Sequence, residues 1–216
     1  KWERGTVNDL CDFNPESVSN NYSHDNIVYF DITSVGSGVA TINSEIPLSN
    51  APSRAKRIVR PNDTIIATVR PGNKSYYYFK SAAENFVVST GFAVLRVKHD
   101  VNPYYIYYYL TQERITNYLT VLANGATTSY PSITPDDILD IEIKLPNLTT
   151  QQKIAHILST LDEKIELNNR INAELEAMAK TLYDYWFVQF DFPDEHGKPY
   201  KSSGGKMVYS DVLKRE

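Results

Sequence analysis

Residues 149–186 carry the spacing that most limits what this 216-residue chain can become. Ile154, Leu158, Leu161, Ile165 and Asn168 advance by alternating steps of four and three. After one further step of three the series resumes as Ile171, Leu175, Met178, Leu182 and Tyr185. A repeat of about 3.5 residues is the seam of a coiled coil, here with one phase slip. Thr149 and Gln152 match the Ser/Thr-x-x-Glu/Gln capping box, which supplies partners for the first free amides of a helix. At about 1.5 Å per residue, a helix from Thr149 to Trp186 is roughly 55 Å long, more than a small domain needs to cover its own core. Its apolar stripe is therefore expected to meet a second long helix, through Ile154, Leu158, Leu161, Ile165, Asn168, Ile171, Leu175, Met178 and Leu182. A terminal helix folded back on its own sheet is the alternative this pattern leaves open.

Ahead of that helix the chain reads as short β-rich runs separated by turn signals: NIVYFDITSV, GSG, VATI, NDTIIATVRPGN and NFVVSTGFAVLRVK. These predict a mixed sheet and an α/β (α+β) class. PYYIYYYLTQERITNYLTVL, residues 103–122, opens with Pro and is apolar all round, which predicts one buried helix capped by Asn102. In LDIEIKLP, Ile141, Ile143 and Leu145 alternate with Glu142 and Lys144, as in a strand with one buried face. The boundaries that follow are a domain over 1–148, the long helix over 149–190, and a linker or tail over 191–216 that includes DEHGKPYKSSGGK. A single cysteine, Cys11, allows no internal disulfide, and no run of eighteen apolar residues occurs, so a reducing, cytoplasmic setting without a membrane span is expected.

The net charge of −4 hides an asymmetry along the chain. Residues 51–80 hold seven Lys/Arg against Asp63 alone, whereas residues 149–196 hold four Lys/Arg against nine Asp/Glu. Arg54, Lys56, Arg57, Arg70 and Lys74 suit contacts to phosphates. Tyr76, with Thr127, Thr128, Ser129 and Tyr130 of the loop NGATTSY, can reach sugars or base edges. A solvated basic face is the competing explanation. Other chemistry finds little support. Pro135, Asp136, Glu142 and Lys144 contain the residue types of a Mg-dependent nuclease, but TPDD reads as a helical turn with Thr134 at the N-cap and Asp136 outward. NPYY lacks the second Pro of the base-flipping loop of amino-methyltransferases, which leaves Asn102 as a cap. GSG at 36–38 suits a hairpin turn. His24, His99, His156 and His196 have no metal-ligand spacing, so neither a metal nor a cofactor is expected.

The segment NGATTSYPSITPDDILDIEIKLPNLTTQQKIAHILSTLDEKIELNNRI, together with LYDYWFVQF, resembles the specificity subunits of type I restriction-modification systems. YFDITSV, NDTIIATVRPG and FVVSTGFAVLR resemble the strands of that family's target-recognition domains. The resemblance implies a target-recognition domain over 1–148 and a conserved spacer helix over 149–190. A full subunit of the family has two of each, with the helices packed antiparallel, so the tail over 191–216 is expected to lead to a missing second half. The implied role is non-catalytic: reading one half of a bipartite site on double-stranded DNA in the major groove, setting the gap, and docking the methyltransferase (modification) subunits and through them the restriction subunit. It fixes no base-reading residue by position. With one helix in the sequence, a two-fold homodimer with antiparallel spacer helices is expected. A stand-alone DNA-modifying enzyme, either a Mg-dependent nuclease or an adenine methyltransferase, is the alternative.

Overall fold

The computed structural model describes residues 2–19, 21–126, 130–189, 191–206, 209 and 211–212. They fall into two compact units, Lys1–Ser159 and Thr160–Glu216. In the first, β1 (Glu3–Thr6), α1 (Val7–Leu10) and β2 (Cys11–Phe13) precede β3 (Asn26–Phe30), β4 (Ile46–Pro47) and β5 (Ala55–Ile58). Next come β6 (Thr64–Ala67), β7 (Tyr76–Tyr78), β8 (Phe86–Ser89) and β9 (Phe92–Val97). The unit closes with α2 (Pro103–Leu110), α3 (Glu113–Ala126), α4 (Pro135–Leu139), β10 (Glu142–Leu145) and the start of α5 (Leu148–Tyr183).

The β-runs form two four-stranded sheets, β4-β3-β8-β5 and β2-β9-β6-β7, and a β1-β10 ribbon, in place of one mixed sheet. Only the first mixes directions, with β3 parallel to β8. The split arises at Thr90–Gly91, where the chain turns from β8 of one sheet into β9 of the other. A Cβ on Gly91 would lie 2.5 Å from Ile32 Cδ1, so a side chain there would displace the tip of Ile32. β6 and β9 are buried on both faces. Ile65, Ala67, Phe92 and Val94 meet Val28, Phe30 and Val88 in a core between the sheets. The alternate residues Ile66, Ala93 and Leu95 meet Tyr105, Ile106, Tyr109, Leu119, Ile138 and Ile143 in a core under the helices. The period of two along a strand thus feeds two cores from one segment.

Four expectations are corrected in detail. VATI forms no strand; only the bridge Val35–Ala40 closes the GSG turn. The helix expected over 103–122 is two helices. Thr111 Oγ1 donates back to the Tyr107 carbonyl (2.9 Å), and the Gln112 carbonyl accepts from Ile115 and Thr116 to restart the coil. α5 is capped not by Thr149 and Gln152 but by Asn147, whose Oδ1 accepts from Thr150 N at 2.9 Å. Asn is the stronger N-cap, and the phase it sets buries Gln151, whose side chain accepts from Asn102 N (2.9 Å) and donates to the Pro146 carbonyl (2.8 Å). Residues 191–206, expected as a linker, carry their own order. Ser202 N and Oγ donate to Asp191, the bridge Pro193–Pro199 closes a hairpin, and Phe192 stacks between Trp186 and Tyr200. As expected, Asn102 caps α2, Thr134 caps α4, where Asp137 completes a capping box, and Ile141 and Ile143 are buried beside exposed Glu142 and Lys144.

A carboxylate with no exposed side-chain surface, Asp63, anchors one end of the sheets. It accepts from Arg60 N (2.8 Å) and from Arg96 Nε and Nη2 (2.9 Å each). Arg96 also reaches Glu16, which takes a forked pair from Arg60 (Nε 3.1 Å, Nη2 2.7 Å). The Arg60 hydrogen bonds, reinforced by Arg96, hold the Glu16 carboxyl below the usual range. Such a group contributes stability that is fully present above its unfolded pKa, about 4.3, and lost as pH falls through the folded value. Glu16→Gln is expected to cost about 1–3 kcal/mol at neutral pH and to flatten the fall of Tm below about pH 4.3. Thermal melts across that range check this; parallel acid profiles for both proteins would refute it.

Candidate nucleic-acid interface

The opposite ends of the same strands converge on a rim built from loops. Thr90 N donates to the Arg54 carbonyl (2.9 Å), and Thr68 N and Oγ1 both donate to the Gly91 carbonyl (2.8 and 3.0 Å). Ile133 N donates to the Thr68 carbonyl (2.9 Å), and Arg70 N to the Pro131 carbonyl (2.8 Å). On the other side of β7, Gly38 N donates to the Tyr76 carbonyl (3.0 Å), and the Ser37 and Tyr76 hydroxyls lie 2.8 Å apart. Segments near residues 32–41, 54, 68–76, 89–91 and 130–133 are thereby joined, largely through backbone groups.

Within the rim, RPGNK is held in an unusual shape. Arg70 and Lys74 both have positive φ (49° and 56°), flanking the 3-10 turn Pro71–Asn73. Non-glycine residues occupy this region at a cost of about 1–3 kcal/mol when the surroundings enforce it. Here Pro71 is buried, and Gly72 sits so close to α3 that a Cβ would lie 3.2 Å from Thr120 Oγ1. The exposed Arg70 guanidinium lies over the Tyr130 ring, 5.8 Å from its centroid.

The rim unites Arg54, Arg70, Lys74 and Tyr130, and it holds Tyr76 with its hydroxyl engaged by Ser37 and its ring against Tyr107. Thr127, Thr128 and Ser129 lie outside the described residues. Lys56 is exposed partway along β5, and Arg57 is half-buried there. Burial lowers the Arg57 pKa, and its Nη1 is buried with no hydrogen-bond partner. Arg60, from the same basic run, is at the far end with Glu16, so the run does not form a single patch. Sequence reading missed the exposed Val39 and Ile42, 68% and 67% accessible on the loop after Gly38. Their signal is two apolar side chains in GSGVATINSE, which the strand assignment absorbed.

Other candidates are engaged elsewhere. Asn102 Oδ1 accepts from Tyr105 N (3.0 Å), Asp136 is exposed in the first turn of α4, and Glu142 faces Arg4 across the ribbon at 3.8 Å. Among the described residues, no group of three or more His, Cys, Asp or Glu is placed to hold a metal ion, and no helix is long and apolar enough to cross a membrane. On α5, Ile154 packs against the core under α2–α4, beside buried Gln151 and Ala155. In the second unit Leu161, Ile165, Ile171, Leu175, Met178 and Leu182 are exposed by 42–62%.

Comparison with known proteins bears directly on this arrangement. The family of the type I restriction modification DNA specificity domain matches residues 1–177. The chain belongs to that family. This specificity-domain chain is 35% identical over 145 residues to the type I restriction enzyme HindI specificity subunit of Haemophilus influenzae, covering 67% of the chain and 32% of the relative. It is 30% identical over 156 residues to the MjaIX specificity subunit of Methanocaldococcus jannaschii, covering 72% and 33%. The HsdS subunit of Thermoanaerobacter tengcongensis has a similar structure, with TM-score 0.66 and 27% identity over 91% of this chain and 51% of that subunit. The specificity-domain chain thus spans about a third of the curated relatives it matches.

The two half-buried arginines of the basic run give a contrast to measure. Replacing Arg57 removes a buried unpartnered donor, so Arg57→Met is expected to leave stability unchanged or raise it, within about 1 kcal/mol. Arg60→Met removes the fork to Glu16 and is expected to cost about 1–3 kcal/mol. Urea midpoints read both; a loss at Arg57 as large as at Arg60 would mean that the Arg57 head is satisfied in solution.

Proposed function

We propose that this chain is the DNA-specificity component of a type I restriction-modification complex, recognising one half of a bipartite site on double-stranded DNA and catalysing nothing itself. The observation that carries the reading is the rim. Arg54, Arg70 and Lys74 offer positive charge for phosphates, with Arg70 over the Tyr130 ring, and the loop after Gly38 exposes the apolar Val39 and Ile42 for base edges and thymine methyl groups. Family membership and the specificity-subunit relatives support the same reading. Thr127, Thr128 and Ser129 belong to the base-reading group by their place beside Tyr130 in sequence. Lys56 and Arg57 add charge along β5. The exposed stripe of α5 acts as the spacer. It pairs with the helix of a second copy in a homodimer and offers its remaining surface to the methyltransferase subunits, which in turn engage the restriction subunit. Work on chromosomal DNA implies a cytoplasmic protein.

Binding to DNA carrying the target should weaken with salt. About three neutralised phosphates correspond to a slope near −3 in log K against log salt. Arg70→Ala and Lys74→Ala are each expected to lower affinity about tenfold for target and non-target duplexes alike. Substitutions at Tyr130 or Ile42 should instead change the preference between sequences. Titrations across a salt series and a randomised duplex pool provide the test; a salt-independent affinity, or uniform loss at Tyr130 and Ile42, would remove the rim from the reading surface.

A further inference from the structure

We propose that loop 36–44 is a preformed finger whose apolar tip, Val39 and Ile42, recognises the C5-methyl group of a thymine in the half-site, and that Tyr76 positions this finger. The inference rests on the DNA-reading role proposed above and names the chemical group that this part of the rim selects. Residues 32–44 include no charged side chain, and Val39 and Ile42 are the large apolar side chains they expose. Such a tip has little to offer a phosphate, which is met by Lys, Arg and amide donors. In the major groove the base edges are polar donors and acceptors, and the C5-methyl of thymine is the apolar group among them. Two branched side chains that end in methyl groups match that feature and no other.

The finger is built before any DNA arrives. Its base is closed by the bridge between Val35 and Ala40, which pack into the core between the sheets while Val39 stays exposed. Gly36 N donates to the Val39 carbonyl (2.8 Å), and Thr41 N to the Ser34 carbonyl (2.8 Å). On the returning side, Asn43 Nδ2 donates to the Tyr29 carbonyl (3.1 Å). Gly38, with φ +74°, is seated so closely on α2 that a Cβ would lie 2.9 Å from the Tyr107 hydroxyl. A tip held in this way loses little conformational freedom on contact.

Tyr76 joins the finger to the cationic turn. Its amide donates to both the Lys74 carbonyl (3.0 Å) and the Gly36 carbonyl (3.3 Å), and its carbonyl accepts from Gly38 N (3.0 Å). Its hydroxyl lies 2.8 Å from that of Ser37, and its ring meets the edge of Tyr107, the residue beneath Gly38. The spacing between Lys74, which faces phosphates, and the apolar tip, which faces bases, is thus set through one half-buried residue. Tyr76 acts through the finger and not on a base.

The test begins with the half-site that the full chain selects from a randomised duplex pool, in which each thymine is then replaced singly by deoxyuridine, a change that removes only the methyl group. Deoxyuridine at one position is expected to weaken binding about fourfold, the effect of one buried methyl. In Ile42→Ala or Val39→Ala, thymine and deoxyuridine at that position should bind alike. Tyr76→Phe removes only the hydroxyl; it should lower the thymine-to-deoxyuridine ratio without changing the slope of log K against log salt, and adding Ser37→Ala should lower the ratio no further. A selected half-site in which no deoxyuridine replacement weakens binding overturns the methyl contact and leaves DNA recognition standing. A ratio undiminished in both Ile42→Ala and Val39→Ala overturns the finger as the reader, and one undiminished in Tyr76→Phe overturns the positioning role. A pool from which no sequence is selected overturns the DNA-reading role and this inference together.

Discussion

The first compact unit is organised around a charge it has removed from water. Asp63 is fully buried, and such a carboxylate without partners would cost several kcal/mol. Its oxygens are satisfied by the Arg60 amide and the fork of Arg96, and the same two arginines take up Glu16. Three segments distant in sequence are pinned at that point: the stretch after β2, the turn into β6 and the far end of β9. β6 and β9 each supply alternate side chains to two cores, so fixing them at one end sets the register of both sheets. The loops at the other end inherit their positions from that register.

The basic run is divided between two places. Arg60 is held against an acid contributed from far upstream in the sequence, while Arg54 and Arg70 are exposed at the rim and Lys74 is half-buried there. A run of like charge in sequence need not be a patch in space, because a strand and a turn carry successive cations to opposite ends of the domain. Arg57 falls between these cases, half-buried and with one nitrogen unpartnered.

Features governed by neighbours within a few residues were legible in the sequence. The Asn102 cap, the Thr134 cap and the alternation through Ile141 and Ile143 are all local. Features decided by distant contacts were not. The sequence pointed to Thr149 for the start of α5, and the use of Asn147 instead goes with the burial of Gln151 against Asn102 and Pro146. The division into two sheets falls at the Thr90–Gly91 turn between β8 and β9, whose long-range pairings with β3 and β5 and with β2 and β6 no window around residue 91 reveals. The rim was half legible: its cations and Tyr130 stood out by composition, whereas Val39 and Ile42 resembled a strand because apolar residues in a loop carry the same letters as apolar residues in a sheet.

The rim's segments are tied together mainly by peptide groups: Thr90 to Arg54, Thr68 to Gly91, Ile133 to Thr68, Arg70 to Pro131 and Gly38 to Tyr76. Bonds of this kind do not depend on which side chain each residue carries. Most side chains at the surface of the rim can therefore be exchanged while the loops keep their places, with the positive-φ pair Arg70 and Lys74 and the tight glycines as the constrained positions. A surface built this way separates the side chains it displays from the backbone shape that carries them. Its chemistry can then change by substitution on an unchanged frame, one exposed residue at a time.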